Sequence, residues 1–212
     1  MFYVWLLIFC LLHAFTAYKI KKSHEYSSRC VSFVHSLVVT CLSLYYLDRT
    51  NNPDWVGAKN KPEHTYILGI SACYIVYDVI YFIILAEKLD WEFIYHHVFV
   101  FAACFVSIYN DRSGGCLILN EIISECTTPF LNMRYFLRAH KSSFMYMLNE
   151  IIFSTLFLYC RVYLAFQLMI NIMESNSVLP TIKFMTIPFY MLNLYWSYGI
   201  IKMIIRRLKN GY

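Results

Sequence analysis

Charge is scarce in this chain: 15% of its 212 residues are Asp, Glu, Lys or Arg, while 59% are hydrophobic. A soluble domain is roughly a quarter charged, so there is too little polar surface here to cover a water-facing globule. Further absences narrow the field. The net charge of +5 has no soluble basic patch or recognition motif behind it, which excludes a nucleic-acid partner. There is no HExxH, CxxC or HxxxH spacing, so no metal site is expected. No Asn-x-Ser/Thr acceptor occurs, and glycosylation gives no guide to topology. The alternating pattern of a membrane barrel is missing, as are the internal repeats and paired broken helices of many transporters.

What the chain has in abundance is long apolar runs rich in Phe (17) and Tyr (19), which suit spans with aromatic belts. A span needs roughly 20 apolar residues, so this length predicts one all-α polytopic membrane domain with about seven crossings and no soluble domain. The expected spans are residues 1–18, 30–47, 65–86, 92–109, 114–137 (broken at Pro129), 144–172 and 179–205. Helices are required because lipid-exposed backbone must satisfy its own hydrogen bonds. The first run has no basic residues before it and three after it (Lys19, Lys21, Lys22), so it is expected to stay as a span and not act as a cleaved leader. Most cysteines fall inside apolar runs, where small, polarisable packing is their expected role.

Orientation follows from the loops. One side collects Lys19, Lys21, Lys22, Arg29, Lys88, Arg134, Arg138, Lys141, Lys202, Arg206, Arg207 and Lys209, and the other has Arg49, Lys59, Lys61, Arg112 and Lys183, a bias of 12 to 5. The positive-inside rule then predicts a luminal N-terminus and a cytosolic C-terminus.

Several spans carry ionisable groups near their middles: His35, Asp78, His96, His97, Glu121, Glu125 and Arg161. On insertion scales a central Asp or Arg costs about 2.5–3.5 kcal/mol, so each needs a partner or a wet cavity. Asn120 and Ser124, like Glu121 and Glu125, are one helical turn apart, and together they form a polar stripe. Pro129 follows and predicts a kink. His96 and His97 point about 100° apart, so only one can aim at the bundle centre. Arg161 is the obvious counter-charge for Glu125 or Glu121, and a structural Arg161–Glu125 ion pair is expected. A His in such a setting is a proton carrier if it is wet, and an inert neutral group if it is dry.

Four segments carry a family resemblance: Arg29-Cys30-Val31-Ser32-x-x-His35, Tyr74-Ile75-Val76-Tyr77-Asp78, Tyr95-His96-His97, and Glu125-Cys126-Thr127-Thr128-Pro129-Phe130-Leu131-Asn132-Met133-Arg134-Tyr135-Phe136. Their order and spacing resemble TLC-domain proteins, and the last is similar to the corresponding stretch of the TLC domain-containing protein 4 branch. The resemblance covers roughly residues 25–205. It implies a six-helix bundle around a central cavity, in the endoplasmic reticulum, concerned with lipid metabolism, sensing or traffic. The ceramide synthases of this family have a His pair followed by a His-Asp-x-x-Asp run. Here the pair is His96-His97, but the run reads Asn120-Glu121-Ile122-Ile123-Ser124. Asn can neither take a proton at neutral pH nor attack as a nucleophile, and only Glu121 keeps an acidic role.

These readings divide the chain into residues 1–24 (N-terminal transmembrane helix and basic loop), 25–205 (TLC-like membrane domain) and 206–212 (basic cytosolic tail). The expected function is binding of a lipid or acyl chain in an intramembrane cavity, as part of membrane lipid homeostasis. Asp78, Asn120, Ser124 and Asn132 would contact the lipid. The alternatives are a ceramide-synthase-like acyltransferase using His96, His97 and Glu121, with acyl-CoA as substrate, or a membrane trafficking receptor. The binding reading is preferred to the enzymatic one. It requires no cofactor, takes membrane lipids as partners and leaves an oligomer open.

Overall fold

The structure is a computed structural model and describes residues 2–47, 54–86, 91–140 and 143–210. The expected Glu87–Asp90 loop, together with Met1, Asp48, Arg49, Lys88 and Lys141, lies outside the described residues. Nine α-helices follow one another among the described residues: α1 Phe2–Ala14, α2 His24–Tyr46, α3 Pro62–Ile84, α4 Trp91–Asn110, α5 Gly114–Glu125, α6 Thr128–Phe136, α7 Phe144–Leu158, α8 Ala165–Glu174 and α9 Pro180–Asn210. Two π-helical turns, Phe15–Lys19 and Tyr159–Leu164, extend α1 and join α7 to α8. No strand is present among the described residues, and Lys59 and Arg112 form an isolated bridge. The stretches His24–Tyr46, Pro62–Ile84, Trp91–Asn110 and Phe144–Glu174 are long and apolar enough to cross a membrane, and Tyr3–Lys19 is a shorter apolar helix. The protein is an all-α polytopic membrane protein.

The helix ends follow local chemistry. Ser23 caps α2 by accepting the Tyr26 N–H at 3.2 Å, so this helix starts about two turns before the apolar run does. The expected break near Pro129 falls at Cys126–Thr127, because a proline that lacks an N–H is tolerated in the first turn of α6 but not inside α5. Ser143 caps α7 in the same way as Ser23, accepting from Tyr146 N–H at 3.2 Å.

Three apolar clusters hold the bundle together. Phe9 of α1 is fully buried among α2 and α3, against Val31, Val39, Ile70, Tyr74 and Tyr77, so the first helix shares the core of its neighbours. Ile67, Leu68, Cys104 and Ile118 join α3, α4 and α5. A third cluster gathers α5, α8 and the start of α9 around Leu119, Leu168, Ile172 and Ile182. Val56, from the 3-10 turn Trp55–Gly57, inserts into that third cluster and stoppers its end.

The stopper is tied down on both flanks. Asp54 accepts a hydrogen bond from Ser175 Oγ at 2.6 Å, and this bond and the neighbouring Ser177 hydroxyl hold its carboxyl below the usual carboxylate range. Asn60 donates to the Ser107 carbonyl at 2.9 Å and accepts the Gly114 N–H at 2.6 Å, which pins the α4–α5 turn. Gly57 lies directly under Ser177 and Val178, where there is no room for a Cβ. At the other end of the chain α9 continues to Asn210, and Arg207 reaches back to Glu150 of α7 at 3.3 Å.

All eight cysteines are thiols; the Sγ atoms of Cys126 and Cys160 lie 3.6 Å apart.

Candidate functional site

The buried polar residues fall into two groups. The first lies among α2, α3 and α4. His97 Nε2 is 3.3 Å from Asp78 Oδ2, with both side chains buried. His97 Nδ1 is 2.8 Å from the Phe93 carbonyl, which can only accept, so Nδ1 carries a hydrogen. Nε2 therefore faces the carboxyl, although Asp78 Oδ2 is buried without a hydrogen-bond partner. Ser28 donates weakly to Asp78 Oδ1 at 3.4 Å. Tyr74 stands over His97 and stacks on the His35 ring at 3.9 Å.

A double-mutant cycle tests the Asp78–His97 pair. Asp78→Asn, His97→Gln and the double variant should show a coupling of about 1–2 kcal/mol in detergent unfolding, within the range of contacting buried groups. Additive losses would show that the two side chains are neighbours without being a pair.

The second group surrounds a cavity between α4, α5, α8 and α9, with an empty volume of about 650 Å³, part of it open to the surroundings. Its wall is apolar over most of its area, with Phe99, Leu117, Leu168, Ile172, Ile182 and Phe189 among its lining residues, and Asn120, Glu121 and Asn193 supply polar groups. Asn120 makes no side-chain hydrogen bond within the described residues. Ser71 approaches Glu121, yet its hydroxyl is without a hydrogen-bond partner. Asn193 is fully buried; its Oδ1 accepts from Arg161 Nη1 at 2.9 Å, and its Nδ2 has no partner.

Arg161 sits in the Tyr159–Leu164 π turn, a kind of irregularity that often marks functional positions in helices. Its Nη2 donates to the Ser124 carbonyl at 2.8 Å, at the interrupted end of α5. The expected Arg161–Glu125 ion pair is not among the ion pairs of the described residues. The guanidinium's Nη1 and Nη2 bond an amide and a backbone carbonyl, its Nε is buried without a hydrogen-bond partner, and Glu125 and Glu121 act on it through space as electrostatic neighbours. The helix break explains this choice, because it leaves the last carbonyls of α5 without intrahelical donors.

The other expected site residues are dispersed. Asn120 and Glu121 line the cavity, whereas Ser124 contributes its carbonyl to Arg161 and keeps its hydroxyl buried and unpartnered. Asn132 donates to Ser32 Oγ at 3.1 Å and ties α6 to α2. Asp78 and His97 do not line the cavity. His96 packs between α4 and α9, stacked on Phe189 and edge-on to Trp196, with its Nδ1 unpartnered.

Sequence reasoning missed a third polar knot. Glu150 of α7 is buried and accepts from Arg134 Nε at 3.0 Å and from Tyr146 at 3.3 Å, while Arg207 approaches its other oxygen. The signal was present, since Asn149-Glu150 interrupts an apolar run and carries the same insertion penalty as Asp78. Also missed was a chain at the end of α1, in which His13 bridges Tyr77 Oη at 2.7 Å and His24 at 3.0 Å.

A helical membrane bundle with a partly polar interior and an apolar cavity is what the fold and site define. Residues 25–202 match the TLC domain, and the chain belongs to the TLC-domain family. It is 30% identical over 200 residues to TLC domain-containing protein 4 A of Dictyostelium discoideum, covering 87% of this chain and 76% of that protein. It is 29% identical over 162 residues to TLC domain-containing protein 4 of Homo sapiens (70% of this chain, 58% of the relative) and 28% identical over 147 residues to TLC domain-containing protein 4-B of Xenopus laevis (65% and 54%). The matches thus span little more than half the length of the human and frog relatives.

Proposed function

We propose that this TLC-domain protein binds a lipid or acyl chain in the cavity between α4, α5, α8 and α9, and so contributes to membrane lipid homeostasis. The observation that carries this reading is the cavity itself: an apolar slot in a membrane bundle with a few buried polar groups that lack protein partners. Its occupants would be membrane lipids, and no cofactor is called for. The charge bias of the loops supports a luminal N-terminus and a cytosolic C-terminus, and membership of the TLC-domain family supports the endoplasmic reticulum.

Filling the slot tests the proposal. Leu168→Trp should fold, yet carry about tenfold less co-purified lipid by native mass spectrometry, a loss of ~1.4 kcal/mol. Equal lipid in both proteins would remove the cavity as the binding site. Unchanged phospholipid and sphingolipid profiles in a deletion strain, across several growth conditions, would count against a homeostatic role.

A second reading, acyl transfer from acyl-CoA, draws on the Asp78–His97 pair, an imidazole oriented by a carboxylate. His97 Nδ1 is committed to Phe93 O, and Nε2 lies 3.3 Å from Asp78 Oδ2 without a hydrogen bond, so a substrate would have to enter between imidazole and aspartate. His96 retains a free Nδ1. Purified protein with acyl-CoA and labelled amine or lysolipid acceptors separates the readings, since turnover lost in His96→Ala or His97→Ala would establish an enzyme.

A further inference from the structure

The cavity has two unlike ends. Asn120, Glu121 and Asn193 stand at one, close to the α5 break, because Arg161 ties Asn193 to Ser124, one turn from Asn120. Ile172 and Ile182 stand at the other, in the cluster that Val56 closes. An occupant therefore has its polar group next to the α5 break and its tail toward the stopper.

The polar end limits what that group can be. No cationic side chain lines the cavity among the described residues. Arg161, behind Asn193, has both terminal nitrogens committed, to Asn193 and to the Ser124 carbonyl. Arg161 already serves Glu121 and Glu125 together, so a phosphate or carboxylate would add a third acid to one cation, at a depth where burying an unpaired ion is costly. What the wall does offer is an N–H from Asn193 Nδ2, an acceptor in Glu121, and both functions in the Asn120 amide. Buried groups of this kind reject molecules that leave them unpaired.

We infer that the cavity selects a lipid with an uncharged head that carries a hydroxyl beside a carbonyl, as in a monoacylglycerol or an N-acyl ethanolamine. The carbonyl accepts from Asn193 Nδ2, and the hydroxyl donates to Glu121 or to the Asn120 carbonyl oxygen. This rests on the reading of the cavity as a lipid site and adds the class of lipid it holds.

The test uses the full-length protein, delipidated in detergent, with 1-monooleoylglycerol, oleate and oleoyl lysophosphatidylcholine as probes that share one tail. Native mass spectrometry should show monooleoylglycerol binding at least about tenfold tighter than the two charged probes. Asn120→Leu, which breaks no hydrogen bond within the protein, should weaken monooleoylglycerol several-fold, and Asn193→Leu should weaken it further. Glu121→Leu, which removes the acceptor, should weaken it as well. If all three probes bind alike to the wild-type protein, and Asn120→Leu changes none of them, the head-group selection is overturned while the lipid site stands. If none binds, and Leu168→Trp leaves the co-purified lipid unchanged, the lipid site falls as well.

Discussion

Replacing Arg161 with alanine is expected to destabilise the bundle more than any other single truncation of a polar side chain. The guanidinium is buried in the π turn, donates to Ser124 O and Asn193 Oδ1, and lies 5.5 Å from the Phe157 ring centre. Its loss leaves a helix-end carbonyl and an amide unsatisfied, and leaves Glu121 and Glu125 without their common cation. Removing one member of a buried charged cluster costs about 3–5 kcal/mol. In a chain of this size each kcal/mol moves the midpoint by roughly 2–4 °C, so the melting temperature in mild detergent should fall by about 6–20 °C. Arg161→Lys should recover only part of the loss, since an ammonium cannot span two acceptors as a planar fork does. A melt within about 2 °C of wild type for Arg161→Ala would show that these contacts carry little weight.

Gly57→Ala should be nearly as damaging, through shape. A Cβ at this position collides with the Ser177 hydroxyl and with the backbone of Ser177 and Val178. Backbone cannot step aside as a flexible side chain can, so the cost should lie near the top of the usual overpacking range, about 3 kcal/mol. The segment around Val56 should lift away and uncover one end of the cavity. The variant should therefore lose bound lipid and become sensitive to protease near Trp55, with little change in helix content. A Gly57→Ala protein that keeps both its lipid and its protease resistance would show that the segment is no stopper.

The spans and the family were legible in the sequence because both rest on local information. Apolar run lengths locate helices, and the stretch from Glu125 to Phe136 carries its resemblance in order and spacing alone. The partners across helices were not legible. Spacing along α5 put Asn120, Glu121, Ser124 and Glu125 on one stripe, but could not say that Arg161 would take a carbonyl of that stripe in place of a carboxylate. The π turn at Tyr159–Leu164 adds to the difficulty, because its wider winding rotates later residues away from the positions a regular wheel assigns them. His96 and His97 show the same limit: a separation of about 100° says that they look different ways, and only packing assigns one to Asp78 and the other to Phe189 and Trp196. The Val56 stopper was not legible either, since a single Val between Trp55 and Gly57 has no periodicity.

The broken helix also constrains how the protein is made. Neither the 12 residues of α5 nor the 9 of α6 can cross a bilayer alone, and the pair carries Asn120, Glu121, Ser124, Glu125, Thr127 and Thr128. The groups that stabilise it, Arg161 and Asn193, are 37 and 69 residues further along the chain than Ser124. As the ribosome delivers this segment, Ser32 of α2 can already receive Asn132, but Arg161 and Asn193 are not yet made, and leaving the translocon for lipid at that moment is unfavourable. Integration of the α5–α6 segment must wait until the C-terminal third has been translated. Nascent chains truncated before α7 should stay bound to the insertion machinery or be degraded, while the helices before them are already in place.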